Sequence, residues 1–135
     1  MARKRTDRAL ARIEQARLDR AFIRVYREEA RAKQESKCRY CRERLTAKTC
    51  TADHYQSRKA FGNDGRANIV AACEPCNKAK GHMPPKMFEE RIQRPRHGDP
   101  YPIWLAWSRR NINLRLEAME LRLLGPARPK KGSRT

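Results

Sequence analysis

A chain of 135 residues with 33 lysines and arginines against 15 acids carries a formal charge of +18, more than solubility alone requires and suited to a polyanionic partner such as nucleic acid. With 39% apolar and 36% charged residues it cannot bury one large core, and a core below about 70–80 residues needs a staple such as a metal or disulfides. No apolar run reaches the roughly 18 residues of a membrane span, and the basic start Met1-Ala2-Arg3-Lys4-Arg5 lacks the apolar stretch of a secretory signal, so we expect a cytoplasmic protein with no membrane partner.

Residues 7–34 predict one long helix, because no Pro or Gly interrupts them, Thr6 offers an N-cap oxygen, and Arg, Ala, Leu and Glu dominate. Leu10, Ile13, Leu18, Phe22, Val25 and Tyr26 form a loose stripe at helical spacing with arginine around it. The arginines suit a duplex backbone or groove, or else the solvated side of a helix packed on the C-terminal one. Residues 46–51 and 68–72 are short β-prone stretches, separated by a polar loop that contains Gly62-Asn63-Asp64-Gly65. A helix should follow Cys73 and break near Gly81, and Pro84-Pro85 suits the first turn of another that ends near Ile92. Pro95, Gly98, Pro100 and Pro102 mark a linker ahead of a helix from Ile103 to Leu124, which Gly125-Pro126 terminates. On that helix Trp104, Trp107, Asn111, Leu114, Ala118 and Leu121 recur at three- and four-residue steps. Such a seam wants a partner helix, whether the N-terminal one, a second copy of the chain in a homodimer, or another protein. The expected division is a basic helix over 1–35, a core over 36–94, a linker and helix over 95–124, and a basic disordered tail over 125–135.

All five cysteines fall in the central part. Cys38-Arg39-Tyr40-Cys41 and Cys73-Glu74-Pro75-Cys76 are paired C-x-x-C turns, each offering two thiolates, and four thiolates make the tetrahedron that a structural Zn²⁺ takes. Four sulfur ligands leave no position open for water, so this ion would be structural and not catalytic. Cys50 stands outside the pairs and reads as a packed strand residue.

Between and beside the cysteine pairs lie Thr51-Ala52-Asp53-His54, then Asn68-Ile69-Val70-Ala71-Ala72, then Cys73-Glu74-Pro75-Cys76-Asn77-Lys78-Ala79-Lys80-Gly81. This string resembles the HNH endonuclease signature: a D-H pair, an N-[LI]-V segment and a C-x-x-C-N-x-x-K-G ending. His54 and Asn68 are 14 positions apart, and Asn68 and Asn77 are nine. The proline and glycine pair that often follow D-H in the family are absent; here Tyr55-Gln56-Ser57-Arg58-Lys59-Ala60-Phe61-Gly62 follows. The resemblance implies an α+β fold, a small ββα-metal core with a four-cysteine zinc site, flanked here by long N- and C-terminal helices.

It also implies hydrolysis of DNA phosphodiester bonds, double-stranded DNA being the expected partner, to leave a 5′-phosphate and a 3′-hydroxyl. Chemically, His54 is the natural general base near neutral pH, and Asp53 and Asn77 present the oxygens that Mg²⁺ or Mn²⁺ prefers. Asn68 would orient His54 through its side-chain amide. Arg58, Lys59, Lys78 and Lys80 are the expected phosphate contacts. His82, just beyond the signature, is a further candidate for a phosphate or metal contact, and His97, in the proline-rich linker, reads as a solvent residue. A phage or mobile-element accessory nuclease is the expected setting, and the alternative is a non-catalytic zinc-knuckle nucleic-acid-binding protein.

Overall fold

The computed structural model describes residues 2–58 and 62–125. Lys59 and the tail from Pro126 onward lie outside the described residues. Helix α1 (Ala2–Lys33) is followed by strand β1 (Cys50–His54), strand β2 (Ile69–Cys73) and helices α2 (Glu74–Lys80), α3 (Pro85–Gln93) and α4 (Tyr101–Leu124). Mixed α and β elements around a two-stranded sheet, with long helices on either side, give the expected α+β fold.

β1 and β2 pair antiparallel, with Cys50 opposite Cys73 and His54 opposite Ile69. β1 begins later than the β-prone stretch suggested. Residues 46–49 form a turn instead, in which Thr46 N–H donates to Thr49 Oγ1 (2.8 Å) and Thr49 N–H to Thr46 Oγ1 (3.2 Å). Hydroxyls that satisfy the backbone locally compete with ladder formation, whatever the β propensity of threonine. α1 starts before Thr6, which lies within the helix, since Ala2 to Arg5 contain only helix formers and nothing halts propagation. α4 starts at Tyr101, with Pro102 in the first turn, where its missing N–H costs nothing.

α1 lies against the hairpin, while α4 packs on α2 and α3. At its end Gln34 clips onto Ala71: Nε2 donates to Ala71 O (2.8 Å) and Oε1 accepts from Ala71 N–H (3.0 Å). The buried core joins the cysteines, Tyr40, Leu45, Ala71, Phe88, Ile92, Ile103 and Ala106. Tyr40 and Phe88 meet edge to face at 5.0 Å between centroids.

The predicted seam on α4 is not the face that packs. Trp104, Leu114 and Leu121 remain substantially exposed, and Ile103 and Ala106 are buried instead. The same face continues as Arg110, Asn113 and Glu117. Arg110 donates to Tyr40 O (2.6 Å) and Asn113 to Cys41 O (3.0 Å). A cysteine knuckle turns its carbonyls outward, and these demand donors more strongly than the tryptophans demand cover. Trp104 and Trp107 pack edge to face on each other, 5.8 Å apart.

Candidate active site

The cysteine pairs converge between α2 and the hairpin. One ligand sulfur from each of Cys38, Cys41, Cys73 and Cys76 lies within 4.8 Å of the others, and all four residues are buried. Cys41 and Cys73 Sγ are 3.6 Å apart, close to the roughly 3.8 Å edge of a tetrahedron with 2.3 Å metal–sulfur bonds. Cys38 Sγ also accepts backbone N–H groups from Tyr40 and Cys73, each at 3.4 Å. The four are positioned to bind a metal. Cys50 is buried outside this set, and burial raises its thiol pKa.

A second concavity, of about 270 Å³, opens at the far end of β1 and is lined by Asp53, His54, Arg58, Asn77 and His82 among others. β1 delivers Asp53 and His54 from its last two positions; α2 delivers Asn77. A cleft of about 310 Å³ beside Glu43, Lys48 and Glu74 contains none of the four predicted catalytic residues.

Asp53 is only 4% exposed. Tyr40 Oη donates to its Oδ2 at 2.5 Å, and the Lys80 ammonium lies 3.4–3.5 Å from its two oxygens while donating to His54 O at 3.0 Å. Burial raises the Asp53 pKa above the ordinary carboxyl value, against the opposing pull of Tyr40 and Lys80. Burial and the adjacent carboxylate likewise raise Tyr40, which keeps it a donor. Lys80 must therefore be reassigned. Its side chain is 0% exposed, so it cannot reach a phosphate backbone, and its charge is spent on Asp53.

His54 Nε2 is held by Asp64 Oδ1 at 2.8 Å, and Arg58 clasps the same carboxylate at 2.8–2.9 Å. The hydrogen bond from His54, with help from Arg58, lowers the Asp64 pKa. The expected amide contact from Asn68 to His54 is replaced by this carboxylate. Asn68 instead closes the loop: its Oδ1 accepts from Gln56 N–H (2.8 Å), and its Nδ2 donates to Gln56 O (3.0 Å) and Asn63 O (2.7 Å). Gly62 completes the closure, since a Cβ there would lie 1.8 Å from Gln56 O. Asn77 Nδ2 donates to Thr51 Oγ1 (3.1 Å) and Ala52 O (3.4 Å), which leaves its Oδ1 as the uncommitted end. Lys78 is exposed and paired with Glu74 one helical turn back, at 2.8 Å.

The residues brought together here all fall within 38–83, the span that matches the family model for HNH endonuclease. This segment belongs to the HNH endonuclease family. Over 62 residues the chain is 34% identical to a CRISPR-associated endonuclease Cas9 of Actinomyces naeslundii, covering 45% of this chain and 6% of that protein. Over 85 residues it is 28% identical to a CRISPR-associated endonuclease Cas9 of Corynebacterium diphtheriae, covering 54% of this chain and 8% of that one. The chain thus spans less than a tenth of the length of these curated relatives. No solved structure matches it. Among the described residues no helix is long and apolar enough to cross a membrane.

Three residues of the HNH site escape sequence reasoning. Tyr40 lies inside a C-x-x-C turn and looks like filler, Lys80 is the lysine of the C-x-x-C-N-x-x-K-G ending but reads as a phosphate contact, and Asp64 sits in an unpatterned loop. A tyrosine between the two cysteines of a knuckle, and the lysine of the signature, were the available signals.

Proposed function

We propose that this HNH chain is a divalent-metal-dependent endonuclease that hydrolyses DNA phosphodiester bonds, with His54 as general base and a Zn²⁺ ion structural on Cys38, Cys41, Cys73 and Cys76. The observation that carries this reading is the shared concavity of Asp53, His54 and Asn77, since a pure binding module needs no base beside two oxygen donors. The donor chemistry fits a hard cation. Asn77 Oδ1 has no other partner among the described residues, and a carboxylate has about four lone-pair sites, of which Tyr40 and Lys80 use two or three. Asp53 and Asn77 would hold Mg²⁺ or Mn²⁺, which when bound polarises the scissile phosphate and stabilises the leaving 3′-oxygen.

His54 takes a proton from the attacking water at Nδ1, the nitrogen that Asp64 does not hold. Asp64 keeps the ring in place and balances the positive charge it gains, as an orienting carboxylate does for any imidazole base. The resulting hydroxide bonds to phosphorus, the P–O3′ bond breaks, and the proton returns through solvent to the 3′-oxygen. A 5′-phosphate and a 3′-hydroxyl are left. Arg58 and Lys78 meet backbone phosphates at the rim; Lys59 is assigned the same role from its place in the sequence. Asn68 acts by holding the loop that carries Asp64.

The test is cleavage of supercoiled plasmid with Mg²⁺ or Mn²⁺. His54→Ala should lower the rate by about 10²-fold or more. Asp64→Ala should lower kcat by about tenfold with little change in KM, and Asp64→Asn, whose amide oxygen still accepts, should recover part of it. If the wild type cuts no faster than His54→Ala with any divalent ion, the enzymatic reading is wrong and a zinc-stabilised binding protein remains.

A further inference from the structure

α1 extends well beyond the core it packs on. From Lys4 to Arg20 every residue except Ala16 is exposed, and burial begins only in the last turns, at Ala30. The direction of that extension is set by two contacts. Gln34 clips to Ala71 in the middle of β2, whereas Glu29 pairs with Arg66 (2.7 Å) and Tyr26 stacks under its guanidinium (5.2 Å), just ahead of Ile69. Going back along α1 therefore leads past the start of β2, the end of the hairpin at which Ile69 pairs with His54. The remaining turns of α1 project from the catalytic end of the sheet.

That projection is charged in a particular way. Arg17, Arg27 and Arg31 pair with acids of their own helix. Arg5, Arg8, Arg12, Arg20 and Arg24 are exposed and have no acidic partner among the described residues. At about 100° per residue these five fall within one broad side, centred away from exposed Leu18, Phe22 and Val25. From Arg5 to Arg24 is about 29 Å at 1.5 Å per residue, the length of eight or nine base pairs at about 3.4 Å each.

We infer that this arginine side of α1 is a second nucleic-acid surface, outside the HNH segment, that tracks the phosphate backbone of duplex flanking the cleavage site. Its occupant is a polyanion because five guanidiniums on one side of the helix, without acidic partners among the described residues, repel one another until phosphates neutralise them. The inference rests on the nuclease reading for the identity of that polyanion. The arm adds affinity and reach without base readout, so the binding it contributes should be independent of sequence.

Salt-dependent binding tests it. Zinc-loaded full-length protein is titrated onto a 30-base-pair duplex without catalytic metal, and log affinity is plotted against log salt. Each phosphate neutralised contributes a slope of about 0.9. Replacing all five residues by Gln should make the slope shallower by about 2–3 and weaken binding at least tenfold near physiological salt. The five-fold Lys variant should keep the wild-type slope. Cleavage at saturating DNA should be unchanged in both, because none of these residues lies in the pocket, and circular dichroism should confirm an intact helix. An unchanged slope in the Gln variant overturns the inference. So does a wild-type dimer, measured by light scattering, that the Gln variant loses, for the face would then join two copies of the chain. If the slope falls as expected but the wild type never cuts better than His54→Ala, the arm stands and the nuclease reading fails.

Discussion

Lys80→Met is the perturbation with the largest consequence this site carries outside the four cysteines. The Lys80 ammonium has no solvent exposure and touches both Asp53 oxygens and the His54 carbonyl. Methionine fills nearly the same volume, so no cavity explains a loss. What remains is a carboxylate 4% exposed that still accepts from Tyr40. Breaking one side of a buried pair costs about 3–5 kcal/mol, a large share of the 5–15 kcal/mol that holds a typical domain together. Urea denaturation at fixed zinc and without Mg²⁺ measures it. Asp53→Asn alone should also be costly, because it strands the ammonium. The double variant, with neither charge, should be more stable than the sum of the single losses by about 2 kcal/mol. A cost below about 1 kcal/mol for Lys80→Met, or additive losses in the double variant, would refute the claim that these two charges neutralise each other inside the protein.

Two other outcomes follow from the same contacts. Metal analysis should find one tightly held zinc per chain in the wild type and in Cys50→Ser, while Cys73→Ser should lose both zinc and cooperative unfolding, since ligation on the order of 10 kcal/mol stabilises so small a core. Glu117, though burial acts to raise it, has its pKa held below the ordinary glutamate value by Arg42 and Lys37, which it links to α4 at 3.0 and 3.3 Å. A carboxyl depressed in the folded state contributes stability above its unfolded value near 4.5 and loses that contribution as pH falls through the folded value. The difference in unfolding free energy between wild type and Glu117→Gln, about 0.5–1 kcal/mol, should accordingly stay constant from pH 7 to 5. A gap that closes within that interval would show that the pair does not form.

The parts of this molecule that were legible in its sequence are those in which chemistry imposes spacing. Two C-x-x-C turns announce a tetrahedral metal site because each tight turn presents two thiolates from four consecutive residues. Asp53-His54 and Asn77 could be read as one site because a resemblance supplied the pairing that no local rule does. Long helices were visible from the absence of Pro and Gly, although Thr6 misled as a cap because the residues before it are equally good helix formers. The α4 seam misled for a different reason. Its tryptophans and leucines suggested an apolar partner, but the surface α4 meets is a knuckle rich in outward carbonyls, and Arg110 and Asn113 answer it. Asp64, and the role of Lys80, were illegible because a charged residue in a helix or loop declares nothing of its partner. Only the folded chain decides that one is buried against Asp53 and the other against His54.

α2 shows why the site assembles as a unit. Seven residues, about two turns, are too few to hold a helix by propensity. Cys73, Cys76 or Asn77, and Lys80 succeed one another at three- and four-residue steps, so they share the side of the helix that faces the hairpin. One rotational setting of α2 therefore closes the thiolate cluster at its start, seats the Asn77 amide on Thr51 and Ala52 in the middle, and buries the Lys80 ammonium against Asp53 at its end. Turning the helix by one residue, about 100°, would break all three. Removing a metal held by the four cysteines should for this reason scatter Asn77 and Lys80 together, even though neither belongs to that set. Zinc loss and loss of the catalytic geometry are then a single event, and no folded, metal-free form with an intact pocket should be found.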